Sequence, residues 1–186
     1  RDVNFRKAAF GYFGHMWELY AFWAFIPILL IKYQELHSQI VFNIAILSFS
    51  IIAIGSLSCV IGGYLSQKFN IKKTAFSFLL LSCFCCLISP LMFQIENGNL
   101  FITFLLFWGM VVIADSPLFS TLVAQNAPPK DKGTALTIVN CIGFSITIIS
   151  IQILSSLVNF TNSNLIFLVL AVGPIIGLFS LRKKLN

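Results

Sequence analysis

The chain has 186 residues, of which 58% are hydrophobic and only 10% are charged, and its mean hydropathy is +0.93. This composition excludes an ordinary soluble domain, in which about a quarter of the residues are charged. The net charge of +6 would suit a nucleic-acid-binding protein, but the positive residues fall in short segments between long apolar runs, so no nucleic-acid partner is expected. The composition indicates an integral membrane protein with the lipid bilayer as its solvent.

Six apolar runs are long enough to cross a membrane as helices, because a hydrocarbon core of about 30 Å needs roughly 20 residues per span. They comprise residues 8–31, 40–66, 74–93, 100–124, 134–158 and 165–181. The sixth run is the shortest. Continuous runs of this length exclude an outer-membrane barrel, whose strands would alternate over about 10 residues. The sequence therefore predicts an all-α polytopic membrane protein, in which residues 1–186 form a single six-helix bundle.

The positive residues predict the orientation of the bundle. Eleven of the twelve Lys and Arg residues precede the first span or follow the second, fourth and sixth spans, and Lys32 is the exception. The positive-inside rule then places both termini on the cytoplasmic side of the membrane, which is expected to be a plasma membrane or a bacterial inner membrane. With three spans in each half of the chain, the second half would be inverted relative to the first, which predicts a 3+3 inverted repeat.

Three residues with a carboxylate or imidazole side chain lie inside the spans: His15, Glu18 and Asp115. A charge at the bilayer centre costs several kcal/mol, so such side chains normally face a polar interior or carry a proton. Glu18 and Asp115 each lie about 15 Å from the cytoplasmic end of their spans, near the midplane. We expect them to share a hydrated cavity that carries protons or a cation, with His15 tuning or relaying the proton. The alternative is a structural ion pair that merely locks the first span to a neighbour.

Further residues are assigned to the same pathway or to its motion. Trp108 lies seven positions before Asp115 and shares its helix face. The fifth span carries many polar residues, including Asn140, and is predicted to line the interior. Pro117, two residues after Asp115, is predicted to kink the fourth span. The five cysteines lie inside the spans without metal-ligand spacing, so they are interpreted as packing residues, and no metal or cofactor is expected.

The segment "GGYLSQKFNIKKT" at 62–74 resembles the cytoplasmic signature loop of the major facilitator superfamily, G-x-L-x-D-[RK]-x-G-x-[RK]-[RK]. The matching residues are Gly63, Leu65, Lys68, Lys72 and Lys73. Gln67 replaces the aspartate of the motif and brings no charge, while Asn70 replaces a glycine and tolerates a left-handed turn nearly as well. The segment "APPKDKGTALTIVN" at 127–140 is similar to the cytoplasmic turn into the fifth helix of a half of such a transporter.

The resemblance implies one six-helix half of a twelve-helix transporter, most similar to the C-terminal half, with a second six-helix half as partner, either upstream in the same polypeptide or on another chain. It implies alternating-access transport of a small solute, and the buried acids favour coupling to protons. No arginine lies within a span to hold an anion, which favours an organic or cationic solute. The alternatives are a structural or sensory membrane module without transport and a membrane enzyme that uses the three ionisable residues. The enzyme is disfavoured because no nucleophile pair or metal motif is recognisable.

Overall fold

The computed structural model describes residues 2–161 and 164–182, which leaves Arg1, Lys183 and Lys184 of the charge pattern outside the described residues. The helices in chain order are α1 (Val3–Leu36), α2 (Ile44–Phe69), α3 (Ile71–Met92), α4 (Gly98–Ala114), α5 (Ser116–Asn126), α6 (Lys132–Phe160), a 3₁₀ segment (Asn164–Ala171) and α7 (Val172–Arg182). The helices α4 and α5 together form the fourth span, and the 3₁₀ segment and α7 form the sixth. Within residues 2–161 and 164–182, six helices are long and apolar enough to cross a membrane, which confirms the prediction of six spans.

Several helices begin at side chains that cap their first turn. Asp2, Asn43 and Asn97 accept hydrogen bonds from the backbone at the starts of α1, α2 and α4. Such caps satisfy N–H groups that have no partner inside the helix. The first helix therefore starts well before the apolar run at 8–31, and its 34 residues extend over about 51 Å. The apolar runs predicted where the chain crosses the membrane, whereas the caps decide where the helices begin.

The first span is the centre of the bundle, and the second and fifth spans are at its periphery. In the most apolar window of α1, 61% of the residues are buried, compared with 17% for α2 and 22% for α6. The helix α1 packs against α6, α7 and α5, while α2 packs mainly against α4. In a 3+3 repeat the first span corresponds to the fourth and the second to the fifth. The contact between the first and fifth spans would then be equivalent to the contact between the fourth and second spans, and both contacts are present. The 3+3 repeat stays a prediction.

Two apolar clusters fill the bundle. One lies toward the end that carries both termini and includes Met16 and Leu118. The other lies toward the opposite end and includes Leu19 and Val112. At that opposite end, Tyr33 stacks on Phe101 with ring centroids 3.9 Å apart, and its hydroxyl donates to the carbonyl of Ile95. These contacts fasten the turn between α3 and α4 to the end of α1.

A close helix contact joins α1 to the sixth span and depends on glycines. A methyl group added at Gly173 would lie 2.5 Å from the Gly14 carbonyl oxygen and 2.5 Å from Cβ of Trp17. The indole Nε1 of Trp17 also donates to the Val169 carbonyl oxygen at 3.0 Å, in the 3₁₀ segment. Close contact of this kind is typical of small residues in membrane helices, and here it leaves no room for a side chain.

We expect Gly173→Ala to lower the free energy of unfolding by about 1–3 kcal/mol, because the added methyl must push α1 and α7 apart. Gly133→Ala is the matched control, since a methyl group at Gly133 would meet nothing within 4 Å. Because alanine has a higher helix propensity than glycine, Gly133→Ala should leave the free energy of unfolding unchanged or slightly higher. Equal thermal stability of the two variants, measured on purified protein, would contradict the close contact.

Candidate functional site

The Glu18 carboxylate is held by three hydrogen-bond donors that all reach the same oxygen. Oε1 accepts from the Trp108 indole Nε1 at 2.8 Å, from Cys86 Sγ at 3.2 Å and from the Ser82 hydroxyl. An ionised carboxylate offers only acceptor sites, so this set of donors compensates a buried negative charge. Glu18 is 1% exposed, so the donors are its substitute for water.

Helix periodicity brings these donors together. Ser82 and Cys86 are four residues apart on α3 and therefore lie on one face, which points at α1. Trp108 approaches from α4, where the Phe22 ring of α1 packs against it with centroids 4.5 Å apart. Glu18 and Trp108 were predicted as site residues, whereas Cys86 was expected to be a packing residue and Ser82 was not predicted. The spacing of Ser82 and Cys86 inside an apolar span was the signal that could have revealed them.

His15 and Asp115 form the second buried contact. Nδ1 of His15 lies 2.9 Å from Oδ1 of Asp115, which is an ion-pair distance when the imidazole is protonated. His15 is 1% exposed and Asp115 is 0% exposed. Among residues 2–161 and 164–182, neither His15 Nε2 nor Asp115 Oδ2 has a hydrogen-bond partner. Buried polar atoms without partners are uncommon and need an explanation, which the proposed function supplies.

The fourth span is interrupted at Asp115. The helix α4 ends at Ala114, Asp115 has φ −90° and ψ −10°, and α5 begins at Ser116 with Pro117 in its first turn. Proline has no N–H to donate and favours the first turn of a helix. The expected kink at Pro117 thus corresponds to a break two residues earlier, which presents the Asp115 side chain at a helix junction.

The two contacts lie at the junction of the two apolar clusters. On α1 the cluster near the termini includes Met16 and the other cluster includes Leu19, and on the fourth span Val112 and Leu118 flank Asp115 in the same way. We call this set the ionisable layer; it consists of His15, Glu18, Ser82, Cys86, Trp108 and Asp115. The six side chains cross the bundle interior from α1, α3 and the fourth span.

The ionisable layer is enclosed, which corrects the expectation of an open hydrated cavity around its acids. Aromatic rings fill the space beside it: Phe22 covers Trp108, and the Phe119 ring lies 5.8 Å from the His15 ring. The acids do face the bundle interior and not lipid. In this conformation, however, side chains and not solvent surround them.

Asn140 is not brought to the ionisable layer. It is half-buried on α6, and the structure records no hydrogen bond from its side chain to His15, Glu18 or Asp115. The expectation that the fifth span lines the interior holds for Thr147 and Ser150, which are buried, while Ser145 and Gln152 are exposed. Thr147 donates to the Met16 carbonyl oxygen at 3.0 Å, which ties α6 to α1 beside the layer. The remaining polar residues form a stripe on the outer face of α6.

The signature-loop residues lie at the junction of α2 and α3. Asn70 has φ 82° and is the one non-glycine residue with positive φ in the described ranges, although its ψ of 133° is more extended than a left-handed helical turn. Its side-chain oxygen accepts from the Lys72 backbone N–H at 2.9 Å. Gln67 and Lys68 are exposed, and Gly63 has open space around its Cα. A methyl group at Gly63 would meet nothing within this chain.

Comparison with known proteins identifies the family. The family model described as Major Facilitator Superfamily matches residues 2–151, most of the chain. The protein belongs to the major facilitator superfamily. Neither a curated protein nor a solved structure matches the chain.

Membership of this superfamily confirms the resemblance carried by the 62–74 loop and assigns the protein to membrane transport. It also agrees with the absence of a recognisable catalytic motif in the sequence, since members of the superfamily are transporters. The six apolar helices are those of an integral membrane protein. The match includes the first four spans and most of the fifth, so it includes the whole ionisable layer.

We expect Trp108→Phe to destabilise the protein by about 1–3 kcal/mol, because the phenyl ring keeps the contact with Phe22 but cannot donate to Glu18. In a Glu18→Leu background the same change should cost about 1–2 kcal/mol less, since the acceptor is already gone. Trp23→Phe is the matched control, because Trp23 Nε1 has no partner in the described ranges. If denaturant unfolding shows that Trp108→Phe lowers the free energy of unfolding equally in both backgrounds, the Trp108–Glu18 hydrogen bond does not stabilise the protein.

Proposed function

We propose that this protein is one half of a proton-coupled secondary transporter that moves a small organic or cationic solute by alternating access. The observation that supports this function is the ionisable layer: two carboxylates and an imidazole are kept in the middle of a membrane bundle, one carboxylate with three donors and the other beside a histidine. Ionisable groups at this depth commonly belong to ion or proton pathways.

The two contacts would take up protons in different ways. Glu18 in its ionised form satisfies Ser82, Cys86 and Trp108 together, and a proton on Oε1 would displace at least one of these donors. His15 can hold a proton while it contacts Asp115, and the unpartnered Nε2 and Oδ2 atoms offer sites for a proton or a water when the layer opens. Protonation of either acid therefore changes contacts between α1, α3 and the fourth span.

The break at Asp115 supports motion in the fourth span. A junction of two short helices bends more readily than a continuous helix, and hinge positions commonly lie at element ends. In the proposed cycle, loss of the His15–Asp115 contact allows α5 to swing relative to α4 and gives water access to the layer. The enclosed state of the layer corresponds to the occluded step of the cycle.

A second six-helix half is proposed to cover α2 and α6. These helices are the least buried of the spans, and the outer face of α6 carries Gln152, whose amide side chain is unsuited to lipid. Thr137 and Ser145 lie on the same face, and each donates its hydroxyl hydrogen to a carbonyl of its own helix. The solute would bind between the halves, where Asn140 could contact it from the edge of the polar stripe. The signature loop, with both termini, is proposed to face the cytoplasm.

A non-transporting structural or sensory module is the alternative. Gln67 in place of the aspartate of the signature loop favours it, because the loop then lacks a charge that could latch the cytoplasmic side. The ionisable layer disfavours it, because a purely structural bundle would be more stable with apolar residues at these positions.

We expect Glu18→Gln and Asp115→Asn, made in the full-length protein, each to abolish proton-linked solute movement while expression stays normal. Each substitution keeps the shape of the side chain but removes its titrating proton. Proteoliposomes with a pH-sensitive dye inside, challenged with candidate organic cations, provide the measurement. Glu35→Gln is the control, because Glu35 is exposed near the far end of α1. Unchanged proton flux in both variants would remove the two carboxylates from the mechanism and favour the non-transporting module.

We expect the 186-residue chain to be inactive in the same assay when it is reconstituted as a strict monomer. Alternating access requires one bundle to rock against another around the solute, and a lone half has nothing against which to rock. Co-reconstitution with a second half should restore the flux. Solute-linked proton flux from a verified monomer would refute the two-half architecture without affecting the role of the carboxylates.

A further inference from the structure

The exposed side of α1 carries two adjacent apolar cavities that the transport mechanism does not use. One cavity of about 490 Å³ lies between the beginnings of α1 and α6, and a second of about 230 Å³ lies deeper, between α1, α6 and α7. Both are lined by Phe10 and Phe13, so they are neighbours along α1. We call these two adjacent cavities the α1–α6 groove.

The α1–α6 groove is as long as one leaflet of a bilayer is deep. It begins beside Arg6 and ends beside Trp17 and Gly173. The eleven helical steps from Arg6 to Trp17 span about 16 Å, which is about half of a hydrocarbon core of about 30 Å. The lining below the mouth is aromatic and aliphatic. An extended acyl chain anchored at the membrane surface would fill this length.

Charged side chains of both signs lie at the mouth of the groove. Arg6 and Asp131 are exposed there from α1 and α6, and the structure records no ion pair between them. Asp131 stands at the first turn of α6, but its carboxylate makes no capping hydrogen bond to that helix. Asp2 also lines the mouth and caps α1 through Oδ1. Two carboxylates disfavour an anionic headgroup, whereas an arginine beside an acid suits a headgroup with both charges.

We propose that the α1–α6 groove binds one phospholipid with a zwitterionic, primary-amine headgroup from the leaflet on the side of the termini. The phosphate diester would lie on Arg6, the ammonium group would donate to Asp131, and one acyl chain would follow the groove past Phe10 and Phe13 to Trp17. A primary ammonium has N–H donors for the carboxylate, which a quaternary ammonium lacks. The binding site is therefore selective for phosphatidylethanolamine over phosphatidylcholine and phosphatidylglycerol.

This site borders the face proposed for the second half. Ile142, Ile146 and Ile149 of α6 line the groove. The polar stripe with Ser145 runs along one edge of this lining, because Ser145 follows Ile142 by three residues and precedes Ile149 by four. A lipid in the groove and a second half on the polar stripe would therefore lie side by side.

Quenching of Trp17 by brominated lipids tests the proposal on the full-length protein in phosphatidylcholine vesicles. A small fraction of phosphatidylethanolamine, phosphatidylcholine or phosphatidylglycerol with bromine in the middle of the acyl chain is the probe. The signal is the difference from a Trp17→Phe variant, which removes the contribution of other tryptophans. Mole for mole, phosphatidylethanolamine should quench about five-fold more effectively than phosphatidylcholine, since one charge contact near the surface contributes that factor. Phosphatidylglycerol should show no such excess.

Substitutions at the mouth distinguish a site that recognises the lipid headgroup from an apolar surface that binds acyl chains nonspecifically. Arg6→Gln and Asp131→Asn should each bring the preference for phosphatidylethanolamine close to one. Lys73→Gln, an exposed positive residue at the same end but outside the groove, should keep it. Equal quenching by the three lipids would overturn the proposal, as would the absence of quenching by any lipid, which would mean that protein covers the groove.

Native mass spectrometry of the detergent-purified protein gives a second measurement. Phosphatidylethanolamine that stays bound to the unmodified protein should be lost from Arg6→Gln. The absence of bound phosphatidylethanolamine from the unmodified protein would also overturn the proposal.

Discussion

The constraint on which this fold depends is the burial of three ionisable side chains in the middle of a lipid-embedded bundle. Each needs a partner because lipid supplies none, and the partners come from different spans. Glu18 takes donors from α3 and α4, and His15 takes Asp115 at the end of α4. The polar atoms of α1 therefore specify which helices must surround it, while the two apolar clusters on either side supply packing without that selectivity.

This arrangement makes α1 the element through which the others communicate. It contributes residues to both apolar clusters, it carries two of the three ionisable residues, and it meets the sixth span at glycines. Thr147 of α6 reaches the Met16 carbonyl at the same level. In the proposed cycle, a change of protonation on α1 would alter contacts with α3, the fourth span and α6. The α1–α6 groove lies on the opposite side of the same helix, so the proposed lipid and the proposed proton would both contact α1.

Sequence predicted the six spans and the location of the acids well, because both depend on strong and local signals. A run of about 20 apolar residues has one structural meaning in a membrane, and an acid inside it must face inward. Sequence did not reveal that Ser82 and Cys86 complete the Glu18 site, since that requires the rotation of α3 about its axis. The sequence also suggested more open space around the acids than the structure has. Aromatic side chains such as Phe22 and Phe119 can either line a cavity or fill it, and only the three-dimensional packing determines which. Asn140, half-buried on α6, is not hydrogen-bonded to the ionisable layer, and its assignment to the solute pathway stays a prediction.

The 3₁₀ segment that begins the sixth span has a consequence for the surrounding membrane. A 3₁₀ helix rises about 2.0 Å per residue instead of about 1.5 Å, so eight residues in this geometry gain about 4 Å of length. The shortest apolar stretch of the protein thereby reaches the thickness of a typical bilayer. If the whole sixth span were a regular α-helix, it would be shorter than the hydrocarbon core on one side of the bundle. The bilayer would then have to thin locally to match it. The Trp17 hydrogen bond to Val169 holds the stretched backbone against α1 and so keeps that flank level with the rest.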